Sequence, residues 1–472
     1  MIWQTTALEM ALGGWVLVML SADLLLDALR KPRIWIVAVL GLLALAGVLC
    51  WQRPWVGLGG ADSMLVLDSF ARYFKGLFLL VMLIVVLMTK AFTRQLSRNV
   101  GEFYLLLFSA LLGMAVLASV GDLLSLFIGL ELLTFSLYVM AAYLKSDARS
   151  VEAGLKYLIM GSISSGFLVF GIALLYGMAG GTSFGALREA FASGQAPLLG
   201  RVGLCLVLAG LGFKIGAVPF QLWVPDVYEG APIPVTALLS VGSKMAGVVA
   251  LLRVLYGALP TEQAFWAPLV AAASAATMLY GNLAAIPQTN IKRLLGYSSI
   301  GHAGYLLMGL STATIEGAQA VAFYLLAYLF SNLAVFFVVT LASEAIGGDS
   351  LENYNGLSRR SPLLAAVMFT GLLSLAGVPP LAGFAGKLLV LLRTVEAGRL
   401  WLVAIGAVNV AISLYYYLMV VRRMYLLPPT QPAPITVDSL SRAVLFFLVA
   451  GIIIVGVFQA PFLRAIESAV RL

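Results

Sequence analysis

Charge is what this sequence has least of. Only 11% of its 472 residues are Asp, Glu, Lys or Arg, where an ordinary soluble domain has about a quarter. With 62% of residues hydrophobic, a water-soluble fold is excluded. Cysteine and histidine are nearly absent. Cys50 and Cys205 lie in or beside apolar runs without CxxC spacing, and His302 is the single histidine. Disulfide frameworks, zinc sites, iron–sulfur clusters and bis-histidine haem are thereby excluded. No phosphate loop and no GxGxxG between strand and helix is present. The chain carries no cofactor or metal of its own, so any work it does draws on an ion gradient or on partner chains. The net charge of +8 comes from basic residues set in twos and threes beside apolar runs, not from one patch, so nucleic acid is not an expected partner.

What the chain does have is a succession of apolar runs of 18 to 26 residues, each matching the roughly 20 residues a helix needs to cross the hydrocarbon of a bilayer. Runs such as residues 76–88 do not alternate polar with apolar, which excludes a transmembrane β-barrel. The pattern predicts an all-α polytopic membrane protein, a single membrane domain over 1–472 in contact with the lipid bilayer, with about fourteen spans. They fall at 8–28, 34–51, 72–91, 102–120, 122–144, 153–178, 201–219, 231–257, 264–287, 294–311, 316–345, 362–395, 400–426 and 441–460. The first run ends in Arg30, Lys31, Pro32 and Arg33 rather than in a small-residue cleavage site, and reads as a retained span. With the N-terminus outside, the inner loops collect fifteen Lys and Arg and the outer loops eight, which favours both termini facing outward.

Six basic residues remain inside spans: Lys75, Lys156, Lys214, Lys244, Arg253 and Lys387. Lys75 and Arg253 lie near span ends, where a long side chain reaches water, and read as anchors. The other four are amines in an oily interior. Burial favours the neutral amine, so a lysine there can exchange its proton near neutral pH as an arginine cannot. Glu131, in the middle of FIGLELLTFSLYVMAAY, is costly as a carboxylate and needs a partner. A Glu131–Lys214 pair is the expected one, with Asp23 the only other acid judged deep enough to serve. His302 lies in a polar stripe with Tyr297, Ser298, Ser299 and Tyr305 and suits relay between lysines. Packing by hydrogen bonding is an equal reading for it. Ser162, Ser164, Ser165, Tyr324, Tyr328, Ser331 and Asn332 read mainly as close helix packing.

Two spans are interrupted. Lys214 precedes Pro219, Trp223, Pro225 and Pro232, while Gly377, Pro379, Pro380 and Gly383 precede Lys387. Broken helices in corresponding halves of a transporter point to its pathway, because unwound backbone is tolerated only where protein or water satisfies it. The mirrored order predicts two inverted five-helix repeats, over 100–257 and 264–426.

Three strings carry a resemblance: GLGFKIGAVPFQLWVPDVYEGAPIPVTALLSVGSKMAG (210–247), QTNIKRLLGYSSIGHAGYLLMGL (288–310) and LSLAGVPPLAGFAGKLLVL (373–391). Together they resemble the antiporter-like subunits of respiratory complex I, a bacterial NADH-quinone oxidoreductase, and PDVYEGAP is more like the N type than the M and L types. The resemblance implies that Glu131 is the fifth-helix glutamate, Lys156 the sixth-helix lysine near the inlet, and Lys214 the lysine of the broken seventh helix. Lys244 would be the central eighth-helix lysine, His302 a residue of the central axis, and Lys387 the twelfth-helix lysine toward the outlet. It further implies proton translocation driven by quinone reduction, with NADH, FMN, iron–sulfur clusters and quinone held by partner subunits. Partners would be a neighbouring antiporter-like subunit and small membrane subunits, in a bacterial inner membrane. The competing readings are a subunit of a membrane-bound hydrogenase or of a multisubunit cation/proton antiporter, and a structural scaffold whose charges only hold helices together.

Overall fold

The computed structural model describes residues 6–25, 33–52, 63–96, 100–194, 197–429 and 433–471. Arg30, Lys31, Pro32, Arg53 and Arg98, which entered the topology reading, lie outside these residues, as does the predicted end of the first span. Among the described residues the chain is helical, with no strand.

In chain order the main helices are α1 (Ala7–Leu25), α2 (Ile34–Trp51), α3 (Ser69–Phe92), α4 (Val100–Ala118), α5 (Leu123–Ala141), α6 (Ala148–Ala179), α7 (Phe184–Ala192), α8 (Pro197–Ile215) and α9 (Trp223–Gly230). They continue with α10 (Ile233–Ala258), α11 (Gln263–Ala285), α12 (Ile291–Leu310), α13 (Ile315–Ile346), α14 (Pro362–Ala376), α15 (Ala382–Glu396), α16 (Leu400–Leu426), α17 (Ser439–Val457) and α18 (Gln459–Ala469). By length and composition, twelve helices among the described residues suit a membrane crossing, and α14 is a shorter apolar one. The difference from about fourteen lies in α12, which carries Lys292, Arg293 and His302, and in the division of the 362–395 run into α14 and α15. The loop expected over 179–200 contains the nine-residue α7.

Short polar side chains set the helix starts. Asp68 accepts from the Ala71 amide at 2.7 Å to open α3, Asp122 from Ser125 at 2.5 Å to open α5, and Thr314 from Gly317 at 3.1 Å to open α13. Packing sorts the helices by depth. α10 is buried along its whole length and α13 nearly so, whereas α1, α2, α6 and α16 turn most of their surface outward. Close approach is greatest where glycines face each other: Gly281 of α11 lies against Gly301 of α12, so that neither position has room for a side chain.

Both predicted breaks are present. α8 stops at Ile215, Gly216 takes a left-handed φ of 73°, and helix resumes at Trp223. The backbone freed there is satisfied by side chains, with Trp223 Nε1 donating to the Phe213 carbonyl at 3.0 Å and the Val218 amide donating to Thr277 at 3.0 Å. α14 stops at Ala376, Gly377 takes φ 91°, and α15 starts at Ala382. Here Lys387 Nζ donates to the Ala376 carbonyl at 3.0 Å, and the Gly383 amide donates to Ser374 Oγ at 3.0 Å. α10 has no break but two wide-turned segments, Leu239–Ser243 and Arg253–Ala258, on either side of the turn that begins at Lys244.

Candidate functional site

Lys214 sits at the last turn of α8 before the break and is buried. Its ammonium donates to Thr134 Oγ1 at 2.8 Å and to the Tyr157 hydroxyl at 3.1 Å, and lies 5.6 Å from the Tyr157 ring centroid. Tyr157 in turn stacks on Trp223 at 4.6 Å, the same indole that holds the carbonyl at the break. The expected Glu131–Lys214 ion pair is not formed as a direct contact. Glu131 instead accepts a hydrogen bond from Ser165 of α6, and Thr134, three residues along α5, receives the ammonium.

The second half of the axis runs from α10 to α16 as three hydrogen-bonded groups, between which the rings of His302 and Tyr328 lie 5.0 Å apart and those of Tyr305 and Tyr324 6.2 Å apart. Lys244 donates to the carbonyl of Ser299 and, at 2.5 Å, to its hydroxyl. Ser299 also bonds the hydroxyls of Tyr228 at 3.1 Å and Tyr328 at 3.2 Å, and Tyr328 reaches Ser240 at 2.9 Å. His302 bridges two phenols, Tyr324 at 2.6 Å from Nδ1 and Tyr417 at 3.2 Å from Nε2, and Tyr417 meets Ser298. Lys387 lies on the Ala376 carbonyl, 3.5 Å from Ser413 Oγ and 5.0 Å from the Tyr305 ring centroid. All three lysines rest on neutral oxygen acceptors, with no ion pair among the described residues. A cation in that setting is held by dipoles and π-faces alone, so its position is set by groups that can also carry protons.

Lys156 is placed differently from the expectation of a buried amine. Its side chain is 45% exposed and pairs with Asp226 and Glu152, each at 2.8 Å. Arg293 joins the same cluster through Asp226 at 2.7 Å and Glu229 at 3.0 Å, around a charged crevice of about 210 Å³ at the end of the bundle where α6 begins. The physical reason is the 100° step of a helix: residue 157 faces the core and residue 156 turns away from it.

Lys75 and Arg253 are not anchors reaching for water. Lys75 is fully buried 2.5 Å from Glu9, an acid the sequence reading overlooked because it lies near the start of its run. Arg253 is clamped bidentately on Asp68, with both bonds at 2.7 Å, and also donates to the Ala118 carbonyl. Burial raises the Asp68 carboxyl, but the charge and hydrogen bonds of Arg253 outweigh it and hold the group below its ordinary range. Thr134, Tyr157, Trp223, Tyr228, Ser240, Ser413 and Tyr417 were not singled out as site residues. Trp223 entered only as part of the break, Tyr228 and Ser240 only within the 210–247 string, and Tyr157 only as the neighbour of Lys156.

A model of the NADH:quinone oxidoreductase/Mrp antiporter transmembrane family matches residues 120–413. The chain belongs to this family. As a family member it is 42% identical over 457 residues to NADH-quinone oxidoreductase subunit N of Moorella thermoacetica, covering 96% of this chain and 95% of that one. Its fold is similar to a chain of respiratory complex I from Thermus thermophilus, with a TM-score of 0.83, 32% identity and coverage of 98% and 99%. It is also similar to a chain of an archaeal membrane-bound sulfane sulfur reductase, with a TM-score of 0.88, 27% identity and coverage of 99% and 97%. The family region contains Glu131, Lys156, Lys214, Lys244, His302 and Lys387, whereas Glu9, Asp68 and Lys75 lie before it.

Proposed function

We propose that the chain is the N-type proton-translocating membrane subunit of an NADH-quinone oxidoreductase. The observation that carries this reading is the buried axis of Lys214, Lys244 and Lys387, free of counter-ions among the described residues and flanked in its second half by hydrogen-bonded groups around Ser299 and Tyr328 and around His302, Tyr324 and Tyr417. Protons would be loaded and released along this axis as neighbouring subunits, which hold NADH, FMN, iron–sulfur clusters and quinone, change the charge beside it. Glu131, on Ser165 and one turn from Thr134, would tune Lys214 from a distance. Lys156 would act at the surface, within its acidic cluster.

The relatives near 40% identity favour subunit N over the hydrogenase-like and cation-antiporter alternatives. We read the two breaks as equivalent points of inverted repeats over 100–257 and 264–426, in a chain of about fourteen crossings with both termini on the outer side of a bacterial inner membrane. Neighbours would be another antiporter-like subunit and small membrane subunits. The test is to replace Lys244 or Lys387 by methionine in the assembled complex in vesicles and count protons moved per electron. Loss of pumping with intact assembly supports the reading. Loss of assembly with unchanged stoichiometry in what remains would favour a scaffold.

A further inference from the structure

A crevice of about 500 Å³ opens between α4, α5 and α6, at the end of the bundle where α6 begins. Its lining includes Glu102 and Lys145, at the start of α4 and in the loop before α6, and Tyr138 and Leu158, within α5 and α6. Tyr138 is 5% exposed, and its hydroxyl has no hydrogen-bond partner among the described residues. Buried hydroxyls are ordinarily satisfied, so this one is suited to a ligand that is not protein.

Its direction says which. A helical side chain leans toward the N-terminus of its own helix, here toward Glu131, seven residues earlier on the same face of α5. Room for the hydroxyl exists because residue 161 of α6 is glycine, where a Cβ would collide with the phenol oxygen. One turn farther along α6 is Ser165, the residue that donates to Glu131. The ring of Tyr138 also meets Tyr157 edge-on at 4.8 Å, and Tyr157 holds Lys214.

We propose that this crevice is an aqueous approach to Glu131, with the Tyr138 hydroxyl as the last protein group before the Ser165–Glu131 pair. The phenol oxygen is covered in this structure; when water from the crevice reaches it, that water passes a proton to the oxygen as the phenol's own proton leaves, through water, toward the Glu131 carboxylate. The hydroxyl then rotates back, so tyrosine gains and loses one proton per passage and ends unchanged. This inference rests on the proposed function for its direction toward Glu131.

Two readouts test it in the assembled complex. First, with Cys50 and Cys205 replaced by serine, Leu158→Cys is exposed to a charged, membrane-impermeant methanethiosulfonate and, separately, to a lipid-soluble maleimide, with Ile163→Cys on the outer face of α6 as control. The expected result is that Leu158→Cys reacts with the charged reagent and Ile163→Cys does not. Reaction of Leu158→Cys with the lipid-soluble reagent alone would mean that an acyl chain fills the crevice, and would overturn the proposal whatever pumping shows. Second, Tyr138→Phe, which keeps the ring against Tyr157, should slow proton uptake roughly a hundredfold or more, the scale of losing a positioned proton-transfer group. If Lys244→Met abolishes pumping while Tyr138→Phe and Gly161→Ala leave it intact, the proposed function stands and this route falls. If Lys244→Met pumps normally, the functional reading fails, and with it the relay role of Tyr138.

Discussion

Replacing Glu9 by glutamine should loosen the first helix from the bundle. Lys75 has no exposed side-chain surface, and Glu9 lies 2.5 Å away as its ion-pair partner. Phe70, Phe74 and Phe78, on the same helix as Lys75, are all buried. Removing one member of a buried pair strands the other charge and costs about 3–5 kcal/mol. Because the glutamine amide still offers an oxygen, the lower end, about 3 kcal/mol, is expected. At 1.4 kcal/mol per tenfold, α1 should then be undocked roughly a hundred times more often. Hydrogen exchange of the amides of Ala7–Leu25 in the intact complex measures this, with α13 as an internal reference that should not change. The double variant Glu9→Leu with Lys75→Met should return α1 close to its parent protection, since an apolar pair of similar size replaces the buried charges at little net cost. Parent-like exchange in Glu9→Gln would refute the argument, as would a double variant as labile as the single one.

Thr134→Val deprives the Lys214 ammonium of one of its two oxygen partners, worth about 1.5–3 kcal/mol for a bond to a charged group. Lys214 should shift toward Glu131, visible as a side-chain movement in a map of the variant complex; an unmoved lysine contradicts this. Gly281→Ala should destabilise the α11–α12 contact by about 1–3 kcal/mol, because its Cβ would lie 2.8 Å from the Tyr297 carbonyl oxygen. Gly13→Ala, with nothing within 4 Å, should be neutral or slightly stabilising, since alanine favours helix; thermal unfolding of the two variant complexes checks both. The Asp68–Arg253 clamp has a pH sign. Since the folded carboxyl titrates below 3.8, its contribution is complete at neutral pH and persists as pH falls toward that value. It is lost progressively as pH falls from that value to the lower, folded-state pKa, below which none remains. Hydrogen exchange at the start of α3 that already rises near pH 5 would contradict the assignment.

The membrane fold was legible because hydrocarbon leaves so few options: apolar runs of the right length must be helices. The breaks after Lys214 and before Lys387 were legible for the same reason, since proline and glycine there deny the backbone its own bonds. Lys214, Lys244 and Lys387 stood out as ionisable groups within apolar runs, and burial agrees. Distance from a run end was a poor guide elsewhere. It suggested that Lys75 reaches water, although α1 covers that turn and supplies Glu9; Lys156, equally near the start of its run, was read as sheltered all the same, although its face of α6 looks onto Asp226 and Arg293. Charge complementarity paired Glu131 with Lys214, but nothing in residue type alone reveals that Thr134 and Tyr157 reach the ammonium first. Which side of a helix meets which neighbour is a three-dimensional fact, and hydropathy does not encode it.

The lysine beyond the second break is also part of what keeps that break in shape. Its ammonium occupies the open carbonyl at the end of α14, so moving the charge elsewhere leaves a peptide oxygen wanting a donor in a dry place. Electrical displacement and backbone geometry are therefore one coordinate at this point of the chain. A voltage-like disturbance arriving at Lys387 becomes a mechanical one at the hinge, and a strain imposed on the hinge is felt by the charge.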